Sequence, residues 1–129
     1  TISPTPAPSI FALVVPNNRI DGRRYVYEVY AAVDTLLNWG DAQTVCRNAG
    51  GDLASIRSEE DQILIQSAVK GHFWGVWIGL RRNQNGMFTW PDGQDADSTY
   101  TNWQFFQPNN GGDCVRLYNT VKWGTDSCD

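Results

Sequence analysis

At 129 residues, of which 41% are hydrophobic and 19% charged, the chain suffices for one domain with its own core. Its net charge of −4 carries no block of like charge, so it offers neither a nucleic-acid footprint nor an attachment to anionic membrane. Six tryptophans are many for this length, and indoles gather where a rigid amphipathic surface is wanted.

Residues 1–9 alternate Pro4, Pro6 and Pro8 with Thr, Ser and Ala, and read as an extended tether. Thr1, Ser3 and Thr5 are candidates for O-linked sugars, with a plain linker as the equal alternative. Residues 10–129 read as one domain, of which 10–24 form an N-terminal strand and loop extension. Ile10–Val15 is an apolar, strand-like run closed by Pro16, and Tyr25–Tyr30 is rich in β-branched residues and tyrosine, which decides for a second strand.

Asn38 is placed to cap a helix over Trp39–Asn48, with Asp41 near its positive end. Trp39, Ala42, Cys46 and Ala49 recur every three or four residues and predict its buried face; Gly50-Gly51 ends it. Leu53–Ile56 reads as an apolar connector. Ser58-Glu59-Glu60-Asp61 is a capping box opening a second helix, with Ile63, Leu64, Ala68 and Val69 expected inward. The three carboxylates there could suggest a metal cluster, but first-turn carboxylates ordinarily answer the helix dipole, and that reading is preferred. Strands follow at Val76–Leu80, Met87–Trp90, Cys114–Tyr118 and Val121–Trp123, the last two joined at Asn119-Thr120. From Trp77 to Cys128 the chain is polar, glycine-rich and aromatic at once, the composition of a long structured loop on a small scaffold.

The three cysteines are Cys46, Cys114 and Cys128, and the sole histidine is His72, so no zinc spacing exists. The close pair Cys114 and Cys128 reads as a disulfide and places the chain in an oxidising compartment, secreted or at the cell surface. Cys46 is left over, as a core thiol or bonded elsewhere. No transmembrane run, no signal-peptide pattern and no initiator methionine are legible, which reads as a mature fragment of a longer precursor.

Over Tyr25–Cys128 the marks accumulate in order: Trp39 with Cys46, Gly50–Ile56, Trp77-Ile78-Gly79-Leu80, Phe88–Gly93, Thr101-Asn102-Trp103, Gln107-Pro108-Asn109, and Cys114 with Cys128. In these the chain resembles a C-type lectin-like domain. The resemblance implies an α+β fold of two helices on small antiparallel sheets with a long loop above, and a Cys114–Cys128 disulfide. Calcium-dependent members bind calcium and sugar through a Glu/Gln-Pro-Asn motif and a later Trp-Asn-Asp. Gln107 and Asn109 match the first, and the glutamine form implies a lean toward galactose-type sugars. Gly124-Thr125 stand where the second carries Asn-Asp, leaving Asp113 and Asp126 as substitute ligands. Two neutral amides supply little charge for calcium, so the preferred reading gives Gln107-Pro108-Asn109 a loop-shaping role, with a cis bond before Pro108 and no cofactor; calcium is the alternative.

In the family a final strand lies beside the first and carries a cysteine that pairs with the helix cysteine. The sequence stops at Asp129 without it: either the chain is cut before that strand or another segment takes its place, with Ile10–Val15 the candidate, within its own chain or, as the lesser alternative, in a neighbour. The expected function is an extracellular recognition module for a glycan or protein, using Tyr100, Phe105, Phe106, Gln107, Asn109 and Asn110, with Trp90 and Trp103 as loop-core residues. The alternative is a structural subunit of an extracellular assembly, through self-association. No nucleophile elbow and no acid–base pair point to an enzyme.

Overall fold

The computed structural model describes residues 9–16, 25–32, 37–69, 75–118 and 121–129. The expected glycosylation positions Thr1, Ser3 and Thr5, together with His72 and the turn Asn119-Thr120, lie outside the described residues. The architecture is α+β. In chain order come strands β1 (Ser9–Pro16) and β2 (Tyr25–Ala32), helix α1 (Trp39–Asn48), β3 (Asp52–Leu53) and helix α2 (Glu59–Val69). Strands β4 (Val76–Arg82) and β5 (Phe88–Thr89), a 3-10 turn (Ala96–Ser98), β6 (Cys114–Leu117) and β7 (Trp123–Asp126) complete it.

The sheet runs β2-β1-β4-β6-β7, with β3 joined to β1 and β5 to β4. Ser9–Pro16 pairs antiparallel with Tyr25–Ala32 of the same chain, from Ser9↔Ala32 to Pro16↔Tyr25, and meets β4 at Phe11↔Trp77. The early strand therefore lies beside Tyr25–Ala32 of the same chain. It contains no cysteine, so Cys46 has no partner there. Cys46 is a free thiol, fully buried. Burial pushes its pKa up to about 12, with the nearby Asp52 carboxylate adding to the effect.

Helix α1 forms where its sequence signals place it. The Asn38 side chain accepts from the Asp41 amide at 2.8 Å, and Gly50, at φ 90°, turns the chain away after Ala49. Its buried face is Trp39, Ala42, Gln43 and Cys46; Ala49 is exposed, because the helix has ended and the chain is already turning outward. Gln43 is drawn inward by two bonds, accepting from Leu53 N and donating to Asp52.

Helix α2 corrects its expected face. Ser58 Oγ accepts from Asp61 N, as a capping box requires, but Asp61 reaches back to Arg57 N. Asp61, Gln62 and Ile65 are buried, Ile63 is exposed, and Leu64 and Ala68 are half-buried. Gln62 goes inward because its amide has three partners: it accepts from Trp123 Nε1 and donates to Gln66 and to Val121 O. A buried amide so satisfied is tolerated where an unsatisfied one would not be. Glu59, expected at the dipole, accepts instead from the Tyr100 hydroxyl at 2.6 Å.

The last hairpin is shifted from expectation. Strand β7 begins at Trp123 rather than ending there, since Leu117 pairs with Trp123 and Cys114 with Asp126. Val121 lies in the turn at φ 60°, a left-handed setting a β-branched residue seldom takes. Two donors, Gln62 Nε2 and Asn102 Nδ2, hold its carbonyl there.

Among the described residues two clusters make the core. One gathers Ile56, Ile65, Ile78, Leu80, Trp90, Leu117 and Trp123; the other joins Trp39, Cys46, Leu53 and Trp77 to the disulfide. Gly79 lies between them, where a Cβ would come within 2.7 Å of Leu53 O, so β4 can approach that strand only as glycine.

Candidate functional site

The long loop is anchored from below by Trp123. Its ring receives Trp90, Tyr100 and Trp103 edge-on, at centroid distances of 5.5, 5.9 and 5.7 Å. Its backbone accepts from Gln104 N and donates to Asn102 O, so both sides of the loop's base are tied to β7. Trp90 is buried and Trp103 half-buried, both part of this core. Tyr100 is also drawn down: half-buried, its hydroxyl held by Glu59, its pKa pushed up to about 12 by burial and that bond. The structure therefore separates Tyr100 from the surface set.

Above this base, Phe105 and Phe106 are 86% and 83% exposed, with ring centroids 4.2 Å apart. Phe106 sits at φ 65°, which places a bulky side chain in a region that favours glycine. The next bond, Gln107–Pro108, is cis. The Gln107 N–H donates to Gln104 O at 2.9 Å and closes the tip.

Gln107 and Asn109 turn inward and meet Thr125. Gln107 Oε1 accepts from the Thr125 backbone N–H at 3.0 Å and lies 2.9 Å from its hydroxyl. The same hydroxyl is 2.6 Å from Asn109 Oδ1, which also accepts from Gly111 N. Beside them, a Cβ on Gly124 would come within 2.8 Å of the Tyr118 ring, so that ring fills the space an asparagine would need. Asp113 pairs with Arg82 at 3.1 Å, and Arg82 also donates to Asn109 O at 2.8 Å. Asp126 pairs with Arg116 at 2.8 Å, whose guanidinium lies 3.6 Å over the Trp77 ring. Asn110 is exposed beside the tip. Among the described residues no group of three or more His, Cys, Asp or Glu is placed to hold a metal. Cys114 and Cys128 are bonded, and the Trp39 N–H donates to Cys128 O, which ties this edge to α1.

Neither Thr125 nor Arg82 was assigned a role from the residue pattern. Thr125 was visible only as a missing ligand; the signal that it replaces one is its hydroxyl, opposite two amide oxygens. Arg82 was legible as the second of two consecutive arginines at a strand end.

Comparison with known proteins names the class. The profile of the Lectin C-type domain matches residues 35–129, and the chain belongs to that family. Asialoglycoprotein receptor 2 of Mus musculus is 32% identical over 101 residues, covering 71% of this chain and 32% of the receptor. The cow C-type carbohydrate-recognition domain of CD23, solved in the presence of a GlcNAc2Man3 oligosaccharide, shares 36% identity at a TM-score of 0.63 and covers 70% of each chain. A calcium-independent type II antifreeze protein shares 34% at a TM-score of 0.61, covering 71% of each. The chain spans only 6% to 32% of the length of the first curated relatives it matches. Among the described residues no helix is long and apolar enough to cross a membrane.

Proposed function

We propose that this domain is an extracellular recognition module that binds a glycan or protein ligand through the tip of its long loop, without a calcium ion and without catalysis. The observation that carries the reading is the Phe105–Phe106 pair. Two adjacent rings stand in water on a backbone that is unfavourable for Phe106, above a base that is tightly bonded. Exposed aromatics on a rigid support are what a sugar face or a protein hot spot engages. Asn110 flanks them with a free-facing amide.

Calcium does not fit the residues beneath. The cation wants six to eight oxygens, largely carboxylate. Gln107 and Asn109 offer neutral oxygens already facing Thr125, and Asp113 and Asp126 are held by Arg82 and Arg116. Arg82, bonded to both Asp113 and the Asn109 carbonyl, brings a positive charge to this corner from the chain itself. The domain boundaries follow the same reading, with residues 1–9 a tether and 10–129 the module.

The test combines calcium titration with a glycan array and a panel of extracellular proteins. Unchanged thermal unfolding up to millimolar calcium, with ligand binding reduced about tenfold or more in Phe105→Ala/Phe106→Ala, is the expected result. A calcium-dependent rise in melting temperature would sink the calcium-free reading. Undiminished binding in the double variant would sink the loop tip.

A further inference from the structure

Away from the loop tip, a cavity of about 450 Å3 opens between α1 and the β4–β5 hairpin. Arg47, Arg81 and Arg82 line it, and among its described lining residues there is no carboxylate. In a chain with 14 acidic and 10 basic residues, three guanidiniums around one cavity are a local concentration of positive charge, of which Arg81 alone has no carboxylate partner among the described residues. Arg47 and Arg82 each give their Nε hydrogen to a carboxylate outside the lining, Asp52 at 3.3 Å and Asp113 at 3.1 Å. Arg81 makes no ion pair among the described residues; its guanidinium rests 5.3 Å over the Trp39 ring. An arginine cannot shed its charge, and stacking on an indole leaves its in-plane hydrogens for another acceptor.

Arg81 and Arg82 pair in regular register with Thr89 and Phe88 of β5, so their Cβ atoms leave opposite faces at the end of β4. Their long stems, not a backbone irregularity, bring both guanidiniums to the cavity.

We propose that this cavity binds the oxyanion group of an acidic saccharide, either a carboxylate or a sulfate. Planar guanidinium donors suit both groups. A bare ion would not fill the space, whereas Asn83, Gln84 and Thr89 on its wall match sugar hydroxyls. The site shares no ligand contact with Phe105 or Phe106 and stands whether or not the loop tip binds anything.

Calorimetry at low ionic strength would use three probes: a 6-sulfated N-acetyllactosamine tetrasaccharide, a hyaluronan tetrasaccharide carrying carboxylate alone, and neutral chitotetraose. At least one acidic probe is expected to bind about tenfold or more tighter than chitotetraose, and Arg81→Gln should remove about tenfold of that affinity. Lys122→Gln, the same loss of charge elsewhere, should leave it unchanged, and the Trp39 indole N–H resonance should shift on binding. Binding of both acidic probes supports a general oxyanion site; binding of one assigns the group. If Arg81→Gln does not fold, Arg47→Gln decides in its place. Acidic probes binding no tighter than chitotetraose overturn the proposal, as does acidic binding that survives both Arg81→Gln and Arg47→Gln.

Discussion

Trp123, on β7 beneath the long loop, and Phe106, at the loop's tip, have opposite surroundings. Trp123 is fully buried, ringed by three aromatics and hydrogen-bonded to a buried glutamine. Phe106 is 83% exposed on a left-handed backbone and touches little beyond Phe105. The hydrophobic effect alone would hide both. The base is arranged for stability, while the tip is held out at a local cost that, under the proposed function, a ligand recovers.

Four substitutions at three positions sharpen that contrast, the positions taken from the largest effect downward. Trp123→Ala empties the centre of the aromatic cluster and should cost about 3–5 kcal/mol, measured by chemical denaturation. Trp123→Phe keeps a ring but leaves the Gln62 carbonyl without its donor, and should cost about 1–3 kcal/mol. A loss below about 1 kcal/mol in the alanine variant would mean that the base is not the loop's anchor.

Thr125→Asp tests the middle layer. Thr125 is 8% exposed, so a carboxylate there would face two amide oxygens in a nearly dry site. Without metal it should destabilise by about 2–3 kcal/mol, and millimolar calcium should restore part of the loss, because a carboxylate is the ligand type the pair of amides lacks. Calorimetric scans with and without calcium read this directly. A variant as stable as the parent in the absence of calcium would show that Thr125 does not hold Gln107 and Asn109 in place.

Phe106→Gly is the smallest and has the opposite sign. Glycine accepts φ 65° without the crowding a phenylalanine Cβ meets, so stability should hold or rise by up to about 1 kcal/mol while ligand affinity falls. A clear destabilisation would mean that the tip is packed, not presented.

The parts of the fold legible in the sequence are those set by local chemistry. Asn38 and Gly50-Gly51 bound α1 because capping and left-handed turns depend on a few neighbouring atoms. The buried face of α2 was not legible, since Gln62 goes inward only because Trp123, far along the chain, needs an acceptor. The strand register at Val121–Trp123 failed for the same reason. Val121 has strand propensity, but the pairing of Leu117 with Trp123 puts it in the turn. At the site, the pattern Gln107-Pro108-Asn109 located the loop's inner wall, and Gly124-Thr125 showed that its partner motif had changed. What replaced it needed three dimensions: the Thr125 hydroxyl between two amides, and Arg82 reaching across from β4.

The buried thiol of Cys46 has a practical consequence. With its pKa near 12 and no exposed surface, it carries almost no thiolate at neutral pH and offers no path to an alkylating reagent. It becomes reactive only when α1 lifts from the sheet. The other two cysteines are joined in a disulfide, so without reductant Cys46 is the one thiol a maleimide can reach, and only once it is uncovered. The rate of that labelling is thus a clock for the opening of a single helix, built in without any engineered probe. It should run faster as pH rises from about 9 toward about 12, where the unfolded thiol ionises and the folded one does not, so that folding stability itself drains away.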